Sequence, residues 1–344
     1  MTTLTYNSSS ALHKTVLSNS IFESSLSFLW NIRHPLSRFT EPLLSVPERI
    51  TYQTSDNWRV TMDCFPHKKG RGEPLLLSTG PLLHCNVLRL GESTLLKALQ
   101  MQGFDVFLFS HRGQRNAHYL NKHKAPIIDW NDIVSKDMAA AIDAVKKYSG
   151  AQKVFWMGHG LGGLMLYSWL SIGGERDLAG ACTIDAPALY VPQKIPVTIK
   201  ILSKFLSRLP HYPTKNIAQL YAQSAPELHP NLSPERSRGI LHHCLENISP
   251  LLVEHIVHWI ETGRFCLDNK HYLSTLRHCK IPLLLLAGQQ DEFAEYVSST
   301  TKHFSTARFH HGNWTHMPFW EEAQHIYTPL SSWIQPHRDA CWTE

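Results

Sequence analysis

Apolar residues in this chain recur with two periods, and the two alternate along it. Residues 49–52 and 58–62 (Arg49-Ile50-Thr51-Tyr52 and Trp58-Arg59-Val60-Thr61-Met62) alternate apolar with polar positions. Thr54-Ser55-Asp56-Asn57 between them is turn chemistry, so a hairpin is predicted. Short, nearly continuous apolar runs follow at 74–77, 104–109, 154–157, 180–184 and 281–287. Such runs suit strands buried on both faces of a parallel sheet. Helical spacing fills the stretches at about 92–102, 132–149, 161–172 and 294–303. Strand–helix alternation predicts an α/β fold with a mostly parallel sheet, whose sites lie at the carboxyl ends of its strands.

The alternation breaks between 187 and 280, where several helical stretches are punctuated by Pro192, Pro196, Pro210, Pro213, Pro226, Pro230, Pro234 and Pro250. This divides the chain into an N-terminal extension (1–47), an α/β core (48–186 and 281–336), a helical cap inserted at 187–280 and a tail (337–344). Within the cap, Ile195, Ile199, Leu202, Leu206 and Leu209 share one helical face, and Lys200, Lys204 and Arg208 the opposite one. That pattern fits a cap helix with a solvated outer face. It equally fits a helix at 195–209 that rests on a membrane surface or a protein partner.

Chemistry concentrates where apolar runs end. Val154-Phe155-Trp156-Met157-Gly158-His159-Gly160-Leu161-Gly162-Gly163 is a strand, a glycine-rich turn and a helix start. This is the setting of the G-x-S-x-G nucleophile elbow, in which small flanking residues let a sharp turn close. Gly158 and Gly162 hold the flanking places, His159 is an elbow neighbour, and Gly160 occupies the position of the nucleophile. Glycine tolerates the strained backbone there but carries no nucleophile. A dinucleotide fingerprint competes for the same glycines: Gly158, Gly160 and Gly163 have its spacing, and Asp177 lies about where its acid would. Against it, strands precede this turn, and Asp177 comes before a strand rather than at its end.

Asp291 follows the run at 281–287 through Gly288-Gln289-Gln290, and His316 lies in Asn313-Trp314-Thr315-His316-Met317-Pro318-Phe319, ahead of the last helix. Elbow, acid and base in that order is the hydrolase order. Taken singly, Asp291 is a turn or cap residue and His316 one histidine among 22. Leu75-Leu76-Leu77-Ser78-Thr79-Gly80-Pro81-Leu82-Leu83 turns after the third strand, where an oxyanion loop belongs. Leu82 and Leu161 are its candidate backbone N–H donors. Ser110-His111-Arg112-Gly113 reads as a turn that braces loops.

On these segments, over about 48–336, the sequence resembles the α/β-hydrolase superfamily, especially its lipase-like and polyhydroxyalkanoate-synthase-like members. The resemblance implies an eight-stranded sheet flanked by helices, a cap after strand six, and Ser-Asp-His catalysis of acyl transfer. Asp291 and His316 carry over as acid and base. The serine does not, because Gly160 stands in its place.

Composition narrows the rest. With 43% hydrophobic and 18% charged residues, disorder is excluded. The net charge of +5 is scattered rather than blocked, so no nucleic-acid partner is expected. Seven cysteines without a C-x-x-C pair argue for reduced thiols and a cytoplasmic protein. Neither a secretory leader nor an apolar run of ~20 residues is visible. His255-x-x-His258, His242-His243 and His310-His311 lack the H-E-x-x-H pattern, so no metal or cofactor is expected. Three functions then remain: His316 with Asp291 as a general base on an apolar acyl or ester-type molecule, by hydrolysis, lyase or cyclisation chemistry; a catalytically inactive binding or partner protein; or a substitute nucleophile, Cys85 or Ser78.

Overall fold

A computed structural model of the chain describes residues 47–67, 70–90, 94–121, 125–189, 232–263, 273–291, 293–320 and 323–342. The predicted helix at 195–209 and nearly all of the N-terminal extension lie outside the described residues.

The predicted hairpin forms from β1 (Glu48–Gln53) and β2 (Trp58–Phe65), paired antiparallel. Its turn closes through Thr54 N–H to Trp58 O (2.9 Å) and Asn57 N–H to Thr54 O (3.1 Å), with Asn57 at φ +71°. Asparagine accepts that left-handed conformation more readily than most residues. The apolar runs become β3 (Glu73–Ser78), β4 (Phe104–Leu108), β6 (Val154–His159), β7 (Leu178–Ile184) and β8 (Leu283–Gly288). Every residue of these five strands is buried, as strands covered on both faces require.

Two strands escape the pattern. The three-residue β5 (Ala117–Tyr119) pairs with β2, and β9 (Ala307–Gly312) is an edge strand parallel to β8. The sheet order is β1-β2-β4-β3-β6-β7-β8-β9 with β5 off this path. The eight-stranded sheet expected from the sequence is therefore present, with a ninth short strand added at its side. From β4 through β9 along that path the pairing is parallel.

Helices α1 (Thr94–Met101) and α7 (Ala323–Ile334) cover one face, around Leu95, Leu99, Ile326 and Trp333. Helices α2 (Ala139–Ser149), α3 (Leu161–Ser171) and α6 (Ala294–Thr300) cover the other, around Ile142, Val145, Leu166 and Val297. A π-helical turn, Ile133–Met138, leads into α2, and Gly150 at φ +68° ends it. Burying one Leu or Phe side chain stabilises by ~1.5–3 kcal/mol, so these two layers supply the main driving force. The described part of the inserted region contains α4 (Pro234–His243) and α5 (Pro250–Thr262). It is tied to the loop after β3 by His84 N–H to Cys244 O (2.5 Å), Glu246 N–H to Leu82 O (3.3 Å) and an isolated Leu83–Leu245 bridge. Among the described residues no helix is long and apolar enough to cross a membrane.

Candidate active site

β6 ends at His159 and α3 begins at Leu161, so Gly160 alone makes the turn between them. Its N–H donates to Ile184 O (2.9 Å), and its carbonyl accepts from Gly163 (3.0 Å) and Leu164 (3.3 Å). Its backbone sits at φ +51°, ψ −117°, a conformation that costs a non-glycine residue ~1–3 kcal/mol. The neighbouring glycines are required by space: a Cβ on Gly158 would collide with the Gly162 carbonyl, on Gly162 with Ser78 O, and on Gly163 with the Ala186 side chain. At Gly160 there is room. The nearest atoms to a Cβ there would be His316 Nε2 at 3.8 Å and Cε1 at 4.0 Å.

Asp291 lies just past β8. Its Oδ1 accepts from Phe293 N–H (3.1 Å), capping the turn into α6, and its Oδ2 accepts from His316 Nδ1 (2.8 Å). The carboxylate accepts, so Nδ1 carries the proton and Nε2 is the free face of the ring, the one toward position 160. Burial pushes Asp291 up, but the hydrogen bond and charge interaction with His316 outweigh it and hold the carboxyl below its usual range. His159 Nε2 donates to the His316 carbonyl (2.5 Å), and its ring lies 4.8 Å from that of His316. Burial holds His159 neutral, down at about 3. The elbow neighbour thus also fixes the loop that carries His316.

The loop after β3 passes beside the elbow. Among the described residues neither Leu82 N–H nor Leu161 N–H is engaged by a backbone acceptor, a condition that an oxyanion hole would require. Between them opens a cavity of about 360 Å³ whose floor includes Gly160, Leu161 and His316. Leu82, Leu83 and Met317 line it from the core, and Leu232, Ile240 and Leu245 from the inserted region.

The other candidates fall elsewhere. Cys85 is buried, donates to Leu77 O (3.5 Å) and Phe109 O (3.4 Å), and burial pushes its thiol up to about 11. Ser78 is buried, its Oγ accepting from Gly80 N–H (3.2 Å). Neither lines the cavity, so neither substitutes for a nucleophile. Arg112 braces loops: its buried guanidinium reaches Asp56 (2.7 Å), Asp132 (3.1 Å) and Asp137 (2.8 Å). Asp177 pairs with Lys146 (3.0 Å) ahead of β7, far from a nucleotide acid's place at a strand's end. His310 and His311 are exposed on β9. Ligating atoms of His159, Asp185 and His316 lie within 4.8 Å of one another, but hydrogen bonds inside the protein already engage these side chains.

One residue at the centre was missed in the sequence. Asp185, just past β7, is buried at φ +50°, rare for a residue with a side chain. Its Oδ1 accepts from Gly288 N–H (2.8 Å) and its Oδ2 from Trp314 Nε1 (3.2 Å). A carboxylate directly after a strand was the available signal, the same one that marks Asp291.

Strand order, elbow, acid and base together define an α/β-hydrolase-fold protein. The family model described as Hydrolase_4, serine aminopeptidase S33, matches residues 89–311, more than half of the chain. The chain belongs to this family, whose name denotes a serine enzyme, with Gly160 at its elbow. The Arabidopsis thaliana protein "Triacylglycerol lipase 2" is 27% identical over 166 residues, 44% of this chain and 40% of that relative's length. Similar solved structures include a thermophilic esterase from Thermogutta terrifontis (TM-score 0.56, 17% identity, 84% of this chain and 99% of that one). They also include the thioesterase domain of the curacin biosynthetic pathway (0.58, 14%, 83% and 99%) and a hydrolase from Pseudomonas aeruginosa PA01 (0.58, 15%, 85% and 100%). At these identities the structural likenesses concern the fold.

Proposed function

We propose that the protein binds an apolar acyl or ester-type small molecule against Gly160 and that His316, oriented by Asp291, acts on it as a general base. The observation that carries this reading is the aim of His316 Nε2 at position 160, with Asp291 on the opposite ring nitrogen, at the floor of an apolar cavity. With no side-chain nucleophile at the elbow, the base takes a proton from water and the water attacks the carbonyl directly. No acyl-enzyme forms. The Leu82 and Leu161 N–H groups stabilise the oxyanion. General-base assistance of this kind is worth ~10²–10⁴ in rate. A lipase, an esterase and a thioesterase among the similar proteins support an ester or thioester substrate. The six described cysteines are free and buried, which supports a reducing, cytoplasmic setting.

A second reading is favoured by the glycine itself: the cavity serves to hold its ligand without turnover. One experiment separates the two. Wild type and His316→Ala are assayed with short- and medium-chain p-nitrophenyl esters, alongside calorimetric binding of the corresponding fatty acids. Turnover that His316→Ala lowers by ~10²-fold or more supports the base. Binding without turnover supports the second reading. Neither turnover nor binding sinks both.

A further inference from the structure

Between α4 and α5 the inserted region returns to the core at Cys244-Leu245-Glu246, and the core holds this strap from two sides. From the loop after β3, His84 N–H donates to Cys244 O (2.5 Å) and Leu82 O accepts from Glu246 N–H (3.3 Å), the two bonds of the antiparallel Leu83–Leu245 bridge. From the turn after β4, Arg115 Nε donates to Glu246 Oε1 (2.5 Å) and Arg115 Nη2 to Leu245 O (3.1 Å). Asn86 Nδ2 adds a bond to His243 O (3.4 Å). Leu245, at the centre of the bridge, lines the cavity that contains Gly160 and His316.

Glu246 is only 4% exposed, and among the described residues Arg115 is its one ion-pair partner. A buried carboxylate does not stay without a compensating charge: it moves out to water or takes a proton. The turn that carries Arg115 is itself fixed, since Gln114 N–H donates to His111 O (3.3 Å) and Asn116 O accepts from Thr61 N–H of β2 (2.9 Å). Two bonds from one planar guanidinium, one to the Leu245 carbonyl and one to the next side chain, set the direction of the strap as well as its place. The bridge also pins the carbonyl of Leu82, whose N–H is the candidate oxyanion donor, so strap and oxyanion loop are set together.

We propose that Arg115 is a positioning residue: through Glu246 and the Leu245 carbonyl it fixes the strap so that Leu245 walls the cavity, and Leu245 thereby limits the length of the acyl chain held against Gly160. The part played by Leu245 rests on the function proposed above; the hold of Arg115 on the strap does not. Leu232 and Ile240 line the cavity from the same inserted region, and α4, which carries Ile240, is anchored separately by the Arg236 guanidinium over the Trp320 ring (4.5 Å). Loss of Arg115 therefore releases the strap while α4 keeps its own tie to the core.

The test is amide hydrogen exchange of the ligand-free protein, read by NMR at His84 and Glu246, the two donors across the bridge. A hydrogen bond to a charged group is worth ~10–100-fold in an equilibrium, so in Arg115→Met these two amides should exchange ~10-fold or more faster while those of β6 and β7 keep wild-type rates. Arg115→Lys, which keeps a charge near Glu246 but loses the fork, should restore part of the protection. A merely structural Arg115 would leave the two amides at wild-type rates, or speed them only together with β6 and β7; either result overturns the proposal. Should Arg115→Met fail to fold, Glu246→Gln weakens the same contact from the other side and is read at the same two positions with the same two outcomes. Calorimetric binding of fatty acids from butanoate to dodecanoate then reads Leu245. Leu245→Ala should move the best-bound length toward longer chains, each further methylene in an apolar pocket being worth about fourfold in affinity. An unchanged length preference overturns the role of Leu245. A wild type that neither binds these acids nor cleaves their esters overturns the proposed function and that role with it, while the exchange rates still decide the hold of Arg115 on the strap.

Discussion

Replacing Gly160 with serine supplies the atom the elbow lacks, and the geometry sets what should follow. A Cβ at this position lies 3.8 Å from His316 Nε2 and meets nothing closer. One C–O bond further on, the hydroxyl comes within the ~2.6–3.2 Å of Nε2 that a nucleophile–base pair needs. The cost is backbone strain at φ +51°, about 1–3 kcal/mol, which lowers the melting temperature by roughly 2–12 °C. The gain is a nucleophile and base acting as a unit, worth up to ~10⁶ in kcat where the geometry is fully evolved. A site never selected for it delivers a fraction, so p-nitrophenyl ester turnover should rise by ~10²-fold or more, with burst kinetics from the acyl-enzyme. A fluorophosphonate probe should label Ser in Gly160→Ser and not wild type, and mass spectrometry should find the adduct on the 154–163 segment. A folded variant with neither labelling nor raised turnover would refute this placement of elbow and base.

Two further substitutions probe the supports. Gly162→Ala should destabilise more than Gly160→Ala, since its Cβ collides with the Ser78 carbonyl whereas the Cβ at 160 meets nothing closer than His316 Nε2 at 3.8 Å; denaturant melts of the two variants rank them. Arg112→Met should cost ~3–5 kcal/mol, because it leaves the fully buried Asp137 with the backbone N–H of residue 112 (2.9 Å) but without its guanidinium; retention of wild-type stability would show that Asp137 is compensated elsewhere.

How far the sequence carried depended on whether a residue's role was local. The five buried strands and the elbow are short-range patterns, and their residues announce them: the 154–163 stretch contains its strand, its turn and its helix start. Asp291 and His316 could be found because each follows a strand or precedes a helix in a fixed order. β9 was lost because its half-exposed Ala-Arg-Phe-His-His-Gly draws its strand character from pairing with β8, 24 residues away in register. Asp185 was lost because its importance lies in Gly288 and Trp314, both more than 100 residues on. The same holds for the room at Gly160, which only the position of His316 defines.

The 22 histidines, uninformative as a count, become informative once three are seen to be buried and neutral. His84, His111 and His159 are held by burial at about 3, 4 and 3 respectively. His159 donates to a carbonyl, His84 Nδ1 accepts from Asn86 N–H (3.0 Å), and His111 Nδ1 meets the Arg112 carbonyl (2.7 Å), so none has a carboxylate partner to support a charge. In the unfolded chain each takes a proton near pH 6.5. Between about pH 6.5 and 4 the unfolded state therefore binds about three more protons than these sites do when folded, and stability falls as pH drops. At ~1.36 kcal/mol per proton per pH unit, these three sites alone cost up to ~6 kcal/mol between pH 6.5 and 5, comparable to the ~5–15 kcal/mol by which a native domain is stable. Two buried carboxyls oppose this: burial pushes Asp137 up to about 6 and Asp185 well above the usual carboxylate range, so around pH 5 the folded state holds protons at these two sites that the unfolded state does not. Urea melts at pH 7, 6 and 5 should give a decline whose slope corresponds to about one proton taken up on unfolding, about three at the histidines less about two at Asp137 and Asp185. His159→Gln should lower that slope by about one. A slope that His159→Gln leaves unchanged would mean that this ring is charged or open to water in the folded protein, and with it would go the description of His159 as the neutral clamp on the His316 loop.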